Sequence, residues 1–181
     1  MLKLRKVPNY IPKQPLVVVG IADLKVSTNP KVLATYALGS CVAITIYDAR
    51  RRLGALIHAM LPEPKGNVDN PAKYVSTAIP HALKHLKNLG SPCVGLEACL
   101  VGGANILKSA TNFRIGERNV SVAREVLRRY GIRLVCEDVG GHSSRNVFFN
   151  LTNGEVYVTS PRVKLGILGR KLLGGKYGGS K

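Results

Sequence analysis

The sequence predicts one domain of mixed class, strands with helices, on three observations. About nine segments carry the β-branched runs or the two-residue alternation of strands, and two carry the 3.6-residue period of helices. No internal repeat or linker divides residues 1–161, and only residues 162–181, basic and glycine-rich, read as a separable flexible tail. With 181 residues and 45% hydrophobic content, such a domain buries about 70% of the surface of its unfolded chain and needs no staple.

The elements follow in chain order. Residues 1–15 are proline-rich and basic and read as an irregular arm. Leu16 to Val26 is strand-like, with Gly20 and Asp23 marking a bulge or turn. Asn29–Pro30 turns the chain into a strand, Val32–Leu38. The break at Leu38–Gly39–Ser40 leads to the strand Val42–Tyr47. The charged stretch Asp48–Arg52 joins it as a hairpin to Leu53–Leu61, which Pro62 and Pro64 close. Pro71 suits the first turn of a helix, Val75, Ala78, Ile79, Ala82, Leu83, Leu86 and Leu89 recur on one face, and Gly90 stops it. Pro80 should kink that helix. Val94 to Val101 reads as a buried strand running into Gly102–Gly103–Ala104–Asn105. Gly116–Glu117–Arg118–Asn119 opens the second helix with Asn119 as its N-cap. Ala123, Val126, Leu127 and Tyr130 form its apolar face, and Gly131 ends it. Ile132–Asp138 is a strand, and Gly140–Gly141–His142 a sharp turn. Asn146–Leu151 and Glu155–Thr159 form a last hairpin across Thr152–Asn153–Gly154, whose Asn–Gly pair is a strong turn signal.

The formal charge of +17, from 27 basic and 10 acidic residues, implies salt-sensitive attraction to polyanions or acidic protein surfaces. It does not by itself imply nucleic acid. Aromatic residues make up 6% and tryptophan is absent, and no helix-turn-helix or zinc-finger spacing appears. The longest apolar run, Leu16 to Ala22, is far short of a membrane span. Lys3, Arg5 and Lys6 before it mimic a signal peptide, but Pro8, Pro12 and Pro15 interrupt the region and Asp23 follows at once. The expected location is the cytoplasm. Cys41, Cys93, Cys99 and Cys136 show no Cys-x-x-Cys and no framework spacing, so neither a disulfide scaffold nor a structural zinc site is expected. Cys93 and Cys99 read as core thiols.

Cys41 is the candidate nucleophile. It opens a strand beside a glycine turn, where its position is fixed and backbone N–H groups lie close enough to hold an oxyanion. A small buried hydrophobe is the ordinary alternative. The hairpin places His58 at a similar distance from its turn, so the two should be near neighbours across the strand pair. His142, in a glycine loop, is the second candidate base. His81 and His85, one helical turn apart beside Lys84 and Lys87, could bind a metal but read as a solvated face. Gly102–Gly103 lacks the lysine and serine of a phosphate loop, which excludes nucleotide binding there.

Several motifs together resemble one family. Leu38-Gly39-Ser40-Cys41-Val42-Ala43, His58-Ala59-Met60-Leu61-Pro62, Gly102-Gly103-Ala104, Ile115-Gly116-Glu117-Arg118-Asn119 and Asp138-x-Gly140-Gly141 with Arg145 stand in the order and spacing of CheD, the chemoreceptor glutamine deamidases. The resemblance runs from roughly Val17 to Val158. It implies an α+β fold with β-sheets packed as a sandwich and helices outside, similar to the catalytic domains of cysteine-dependent deamidating toxins. It implies a hydrolase in which Cys41 attacks a receptor glutamine amide, His58 is the base, and Thr35 orients the imidazole. Gly39, Ser40, Gly102, Gly103, Gly140 and Gly141 would shape the substrate and oxyanion surroundings, and no metal or organic cofactor is implied. A thiol that forms a glutamyl thioester from an amide can form it from a methyl ester too. The partners implied are the cytoplasmic helices of a chemoreceptor and a CheC-type phosphatase of the response regulator. A non-catalytic module that docks on either is the rival reading, and a basic nucleic-acid binder the weaker one. Ser144, where the family often has glycine, and Asn105-Ile106-Leu107, where a methionine is common, depart from the pattern and bear on loop shape.

Overall fold

A computed structural model describes residues 14–106, 114–160 and 163–168. Two five-stranded sheets and two helices make three layers. In the first sheet the order is β1 (Leu16–Val18), β3 (Val32–Leu38), β8 (Arg145–Asn150), β9 (Val156–Ser160), β10 (Val163–Leu168). In the second it is β2 (Asp23–Thr28), β5 (Leu53–Ala59), β4 (Val42–Asp48), β6 (Glu97–Gly102), β7 (Arg133–Val139). The helices, α1 (Val75–Asn88) and α2 (Ile115–Arg129), cover the outer face of the second sheet.

Strand alternation explains the layering. On β4 and β5, Val42, Ile44, Ile46, Leu53, Ala55, Ile57 and Ala59 point to the helices, where Val75, Ile79, Leu86, Val120, Ala123 and Leu127 meet them. The alternate residues, Ala43, Tyr47 and Leu56, turn inward and pack with Leu33, Leu38, Val147 and Phe149 of the first sheet. β4 and β5 are therefore buried along their whole length on both faces, which is why they read as nearly continuous apolar runs.

Several expectations need correction. The stretch Leu16 to Val26 is two strands in different sheets: β1 runs parallel to β3, and β2 runs antiparallel to β5. The chain crosses between layers at residues 19–22, with Ala22 at φ 54°. Pro71 starts a 3-10 turn, Pro71–Lys73, capped by Asn70, and α1 itself begins at Val75. Leu89 and Tyr130 are C-caps rather than face residues, and both are exposed because the chain leaves the helix there. Val94 is exposed, and its strand starts only at Glu97. Asn119 is not an N-cap: α2 starts at Ile115, and Asn119 lies inside it, fully buried. Cys99 forms a disulfide with Cys136, against the reading of Cys99 as a core thiol. The physical reason is long-range pairing: parallel β6 and β7 place the two opposite each other, with Cα atoms 4.8 Å apart. Strand β10 occupies part of the segment expected as a tail; the remainder of that segment and the N-terminal arm up to Lys13 lie outside the described residues.

Candidate active site

Thr35 and His58 meet between the two sheets. Thr35 sits on β3 and His58 on β5, both on inward positions, and both are essentially inaccessible to solvent. The Thr35 hydroxyl lies 2.8 Å from the Val19 carbonyl and 2.7 Å from His58 Nδ1. A threonine hydroxyl has one proton, and a carbonyl can only accept, so that proton goes to Val19. The Thr35 oxygen must then accept from His58 Nδ1–H. This fixes the tautomer: Nδ1 carries the proton and Nε2 presents a lone pair. Nε2 is buried and has no hydrogen-bond partner among the described residues. An imidazole nitrogen held this way is a poised proton acceptor.

Cys41 stands on the same side. The hairpin sets Ala43 opposite His58, and Cys41, two residues before Ala43, takes the diagonal position on that face. Its side chain packs against the inter-sheet cluster of Ala43, Leu56 and Val101 while remaining partly open to solvent. Burial pushes the Cys41 thiol up from its ordinary value, partly offset by its own backbone N–H. Burial also pushes the His58 imidazole down. Each shift favours the uncharged form of its group.

Backbone contacts fix the turn that carries Cys41. The Gly39 carbonyl accepts from Ala104 N–H at 2.8 Å and the Cys41 carbonyl from Gly103 N–H at 2.8 Å. Gly102 must be glycine: its φ is 112°, and a Cβ there would stand 2.4 Å from the Cys41 carbonyl oxygen. Gly140 N–H donates to the Gly102 carbonyl and Asn105 N–H to the Gly141 carbonyl, both at 2.8 Å. Arg145 holds the outer loop, donating to the Gly140 and Ser143 carbonyls and pairing with Asp138 at 2.9 Å. The glycines singled out from sequence thus form one cluster of loops behind and beside Cys41, whereas the Ser40 side chain is exposed.

The other histidines stand apart from this arrangement. His142 Nδ1 lies 2.8 Å from the Asn105 carbonyl, and its ring is exposed. His81 and His85 touch across α1, with Nε2 atoms 3.2 Å apart, beside a groove formed with β2. Among the described residues no group of three His, Cys, Asp or Glu side chains is placed to hold a metal ion. Sequence reasoning missed two residues of the site. The Val19 carbonyl gives no signal in sequence, since any residue would supply it. Asn119, inside the motif Ile115–Asn119, donates from Nδ2 to the carbonyls of Ser40 and Met60 at 2.9 Å each. A polar side chain on the inner face of an amphipathic helix was the available sign.

Comparison with known proteins places these observations in context. A family model described as CheD chemotactic sensory transduction matches residues 60–160. A probable chemoreceptor glutamine deamidase CheD of Pyrococcus abyssi is 41% identical over 162 residues, covering 87% of this chain and 93% of that protein. Another, from Pyrococcus horikoshii, is 45% identical over 142 residues, covering 76% and 88%. The chemoreceptor glutamine deamidase CheD of Thermotoga maritima is 40% identical over 141 residues, covering 78% and 89%. A solved Neisseria meningitidis protein, NMB0706, is similar at 14% identity with a TM-score of 0.42, over 71% of this chain and 63% of that one. That last likeness is too slight to carry an argument.

Proposed function

The chain belongs to the CheD family, and from that premise we propose that it is a chemoreceptor glutamine deamidase working through Cys41, His58 and Thr35. The observation that carries the reading is the one-way hydrogen-bond chain Val19–Thr35–His58, which leaves Nε2 as the free base on the face where Cys41 stands.

The reaction proceeds in two halves. His58 Nε2 takes the Cys41 proton as the sulfur attacks the side-chain carbonyl carbon of a glutamine. Burial favours the uncharged form of both groups, which suits proton transfer concerted with attack. The oxyanion that forms faces the backbone N–H groups of Ser40 and Cys41. As the intermediate collapses, the carbon–nitrogen bond breaks, the imidazolium gives its proton to the departing nitrogen, and ammonia leaves a glutamyl thioester. His58 then activates a water that attacks the thioester carbonyl, releasing glutamate and restoring the thiol. One water is consumed and one ammonia released. A methyl ester enters the same thioester with methanol as the leaving group.

Thr35 serves through orientation alone. It fills the place that a carboxylate or amide takes in other triads. A hydroxyl adds no negative charge, so the imidazolium gains less stabilisation, and fixing the tautomer is the main effect. The cationic chain suits an acidic receptor surface, and the CheC-type phosphatase is the second partner on this reading. No described helix is long and apolar enough to cross a membrane.

The test is mass spectrometry of a chemoreceptor cytoplasmic fragment incubated with the protein and with Cys41→Ala. Specific glutamines should become glutamates with the parent alone. Equal conversion by Cys41→Ala, or none by the parent, would overturn the reading.

A further inference from the structure

We infer that Asn119 is a positioning residue of this site: by anchoring the Ser40 carbonyl it aims the Cys41 backbone N–H at the oxyanion. The inference rests on the proposed roles of Cys41 and His58 and adds the element that fixes the geometry between them.

Asn119 is fully buried, and both protons of its Nδ2 are used, on the carbonyls of Ser40 and Met60 at 2.9 Å each. The orientation of the amide follows from its neighbours, since two carbonyl oxygens can only accept and so require the NH2 group between them. A peptide unit is planar and trans, so its C=O and N–H point in opposite directions. Holding the Ser40 oxygen therefore fixes the direction of Cys41 N–H, which belongs to the same peptide plane. Ala104 does the same for the preceding unit, holding the Gly39 oxygen and so directing Ser40 N–H. Gly103 holds the Cys41 oxygen. Three successive carbonyls of the turn are thus pinned, two by main-chain donors and one by the side chain of Asn119.

The second hydrogen bond gives the arrangement its span. Met60 lies two residues beyond His58, so one amide ties the turn of the nucleophile to the strand of the base. The helix that carries Asn119 has no slack. Gly116, one turn earlier, abuts the Gly103 backbone so closely that a Cβ would stand 2.5 Å from the Gly103 oxygen. That contact fixes α2 against the loop that also holds Cys41. A hydrogen bond to the Ser40 oxygen also polarises its peptide and makes the Cys41 N–H a stronger donor.

The test separates aiming from mere support. Asn119→Asp and Asn119→Ala are assayed for deamidation of a receptor fragment and, separately, for alkylation of Cys41 by iodoacetamide across pH. Alkylation is a displacement at carbon that builds no oxyanion, so at its high-pH plateau, where the thiol is fully ionised, it reports the nucleophile without the donor; the Cys41 N–H enters only through the thiol's pKa. The expected result is a kcat lower by about 10²-fold, with the plateau alkylation rate within about twofold of the parent. An unchanged kcat overturns the inference. So does a parallel fall in kcat and alkylation, which would make Asn119 a support of the fold. Should both variants fail to fold, a semisynthetic protein with the Ser40–Cys41 amide replaced by an ester removes the N–H directly with Asn119 intact. A loss of about 10²–10³ in kcat is then expected, and full activity overturns the inference. Activity in Cys41→Ala would instead overturn the underlying reading, so the two failures are distinguishable.

Discussion

The two faces of β5 do different work within one residue of each other. Ile57 points to the helices, into an apolar cluster with Val75, Ala78 and Ile79. His58 points the other way, into the inter-sheet layer, which is equally dry but ends in a polar chain through Thr35 to the Val19 carbonyl. Both residues are at most 1% exposed. Burial alone therefore does not distinguish packing from chemistry. What distinguishes them is hydrogen bonding: the Thr35 hydroxyl and His58 Nδ1 are paired, while His58 Nε2 is buried with no partner among the described residues.

The largest expected effect exploits that adjacency. His58→Gln keeps a polar side chain of similar reach but removes the base, and deamidation should fall by about 10²–10⁴-fold with little change in melting temperature. Ile57→Ala should do the reverse. It opens a cavity against α1 and should cost about 2–5 kcal/mol of stability, while kcat per folded molecule stays near that of the parent. Chemical denaturation and receptor deamidation, measured on both variants, check the pair. A large kcat loss in Ile57→Ala at full folding would erase the distinction between the faces.

The same contrast explains what could be read in advance. The strands Val32–Leu38 and Val42–Asp48 were legible because their apolar runs end at a glycine break and a charged turn. The nearness of Cys41 and His58 was legible because one hairpin joins their strands; only the two-residue offset awaited the register. What stayed hidden depended on partners distant in sequence. Parallel pairing of β1 with β3 brings Val19 N–H to the Ala34 carbonyl and the Val19 carbonyl to Thr35, whereas Gly20 and Asp23 signalled only a bulge or turn and not a change of sheet. The disulfide arises from parallel strands joined through α2, its cysteines 37 residues apart in sequence. Asn119 was visible as a residue but misplaced by one turn. Its preference for helix N-termini suggested a cap, whereas tertiary partners at Ser40 and Met60 claim its amide.

A smaller effect is expected at Thr35. Thr35→Val keeps the shape and the β-branch but deletes both hydrogen bonds, leaving His58 Nδ1–H unpaired and the tautomer free to exchange. Turnover should fall by about 10- to 100-fold, less than for His58→Gln, because a fraction of the imidazole still presents Nε2. Thr35→Ser retains the hydroxyl and should recover most of the activity. If Val and Ser behaved alike, packing against β8 rather than the hydrogen bond would be the role of this position.

The smallest effect is a pH dependence that belongs to the inner face alone. Burial lowers the His58 pKa below the ordinary 6.5. On the proposed mechanism His58 must be neutral to accept the Cys41 proton, so the acid limb of kcat/KM should have its midpoint below pH 6.5. Stability should follow the same group. Above pH 6.5 neither the folded nor the unfolded chain carries a proton on this imidazole, and it makes no difference. Below 6.5 the unfolded chain takes up a proton that the folded one does not. Stability then falls as the pH drops, until the lowered folded pKa is reached. His81 is lowered as well, first by its partial burial and then by the nearby His85 and Lys84. Comparing the parent with His58→Gln isolates the buried group: the difference in unfolding free energy between the two should be flat above pH 6.5 and slope below it. A slope unchanged by His58→Gln would assign the titration to α1 instead, on the far side of the second sheet.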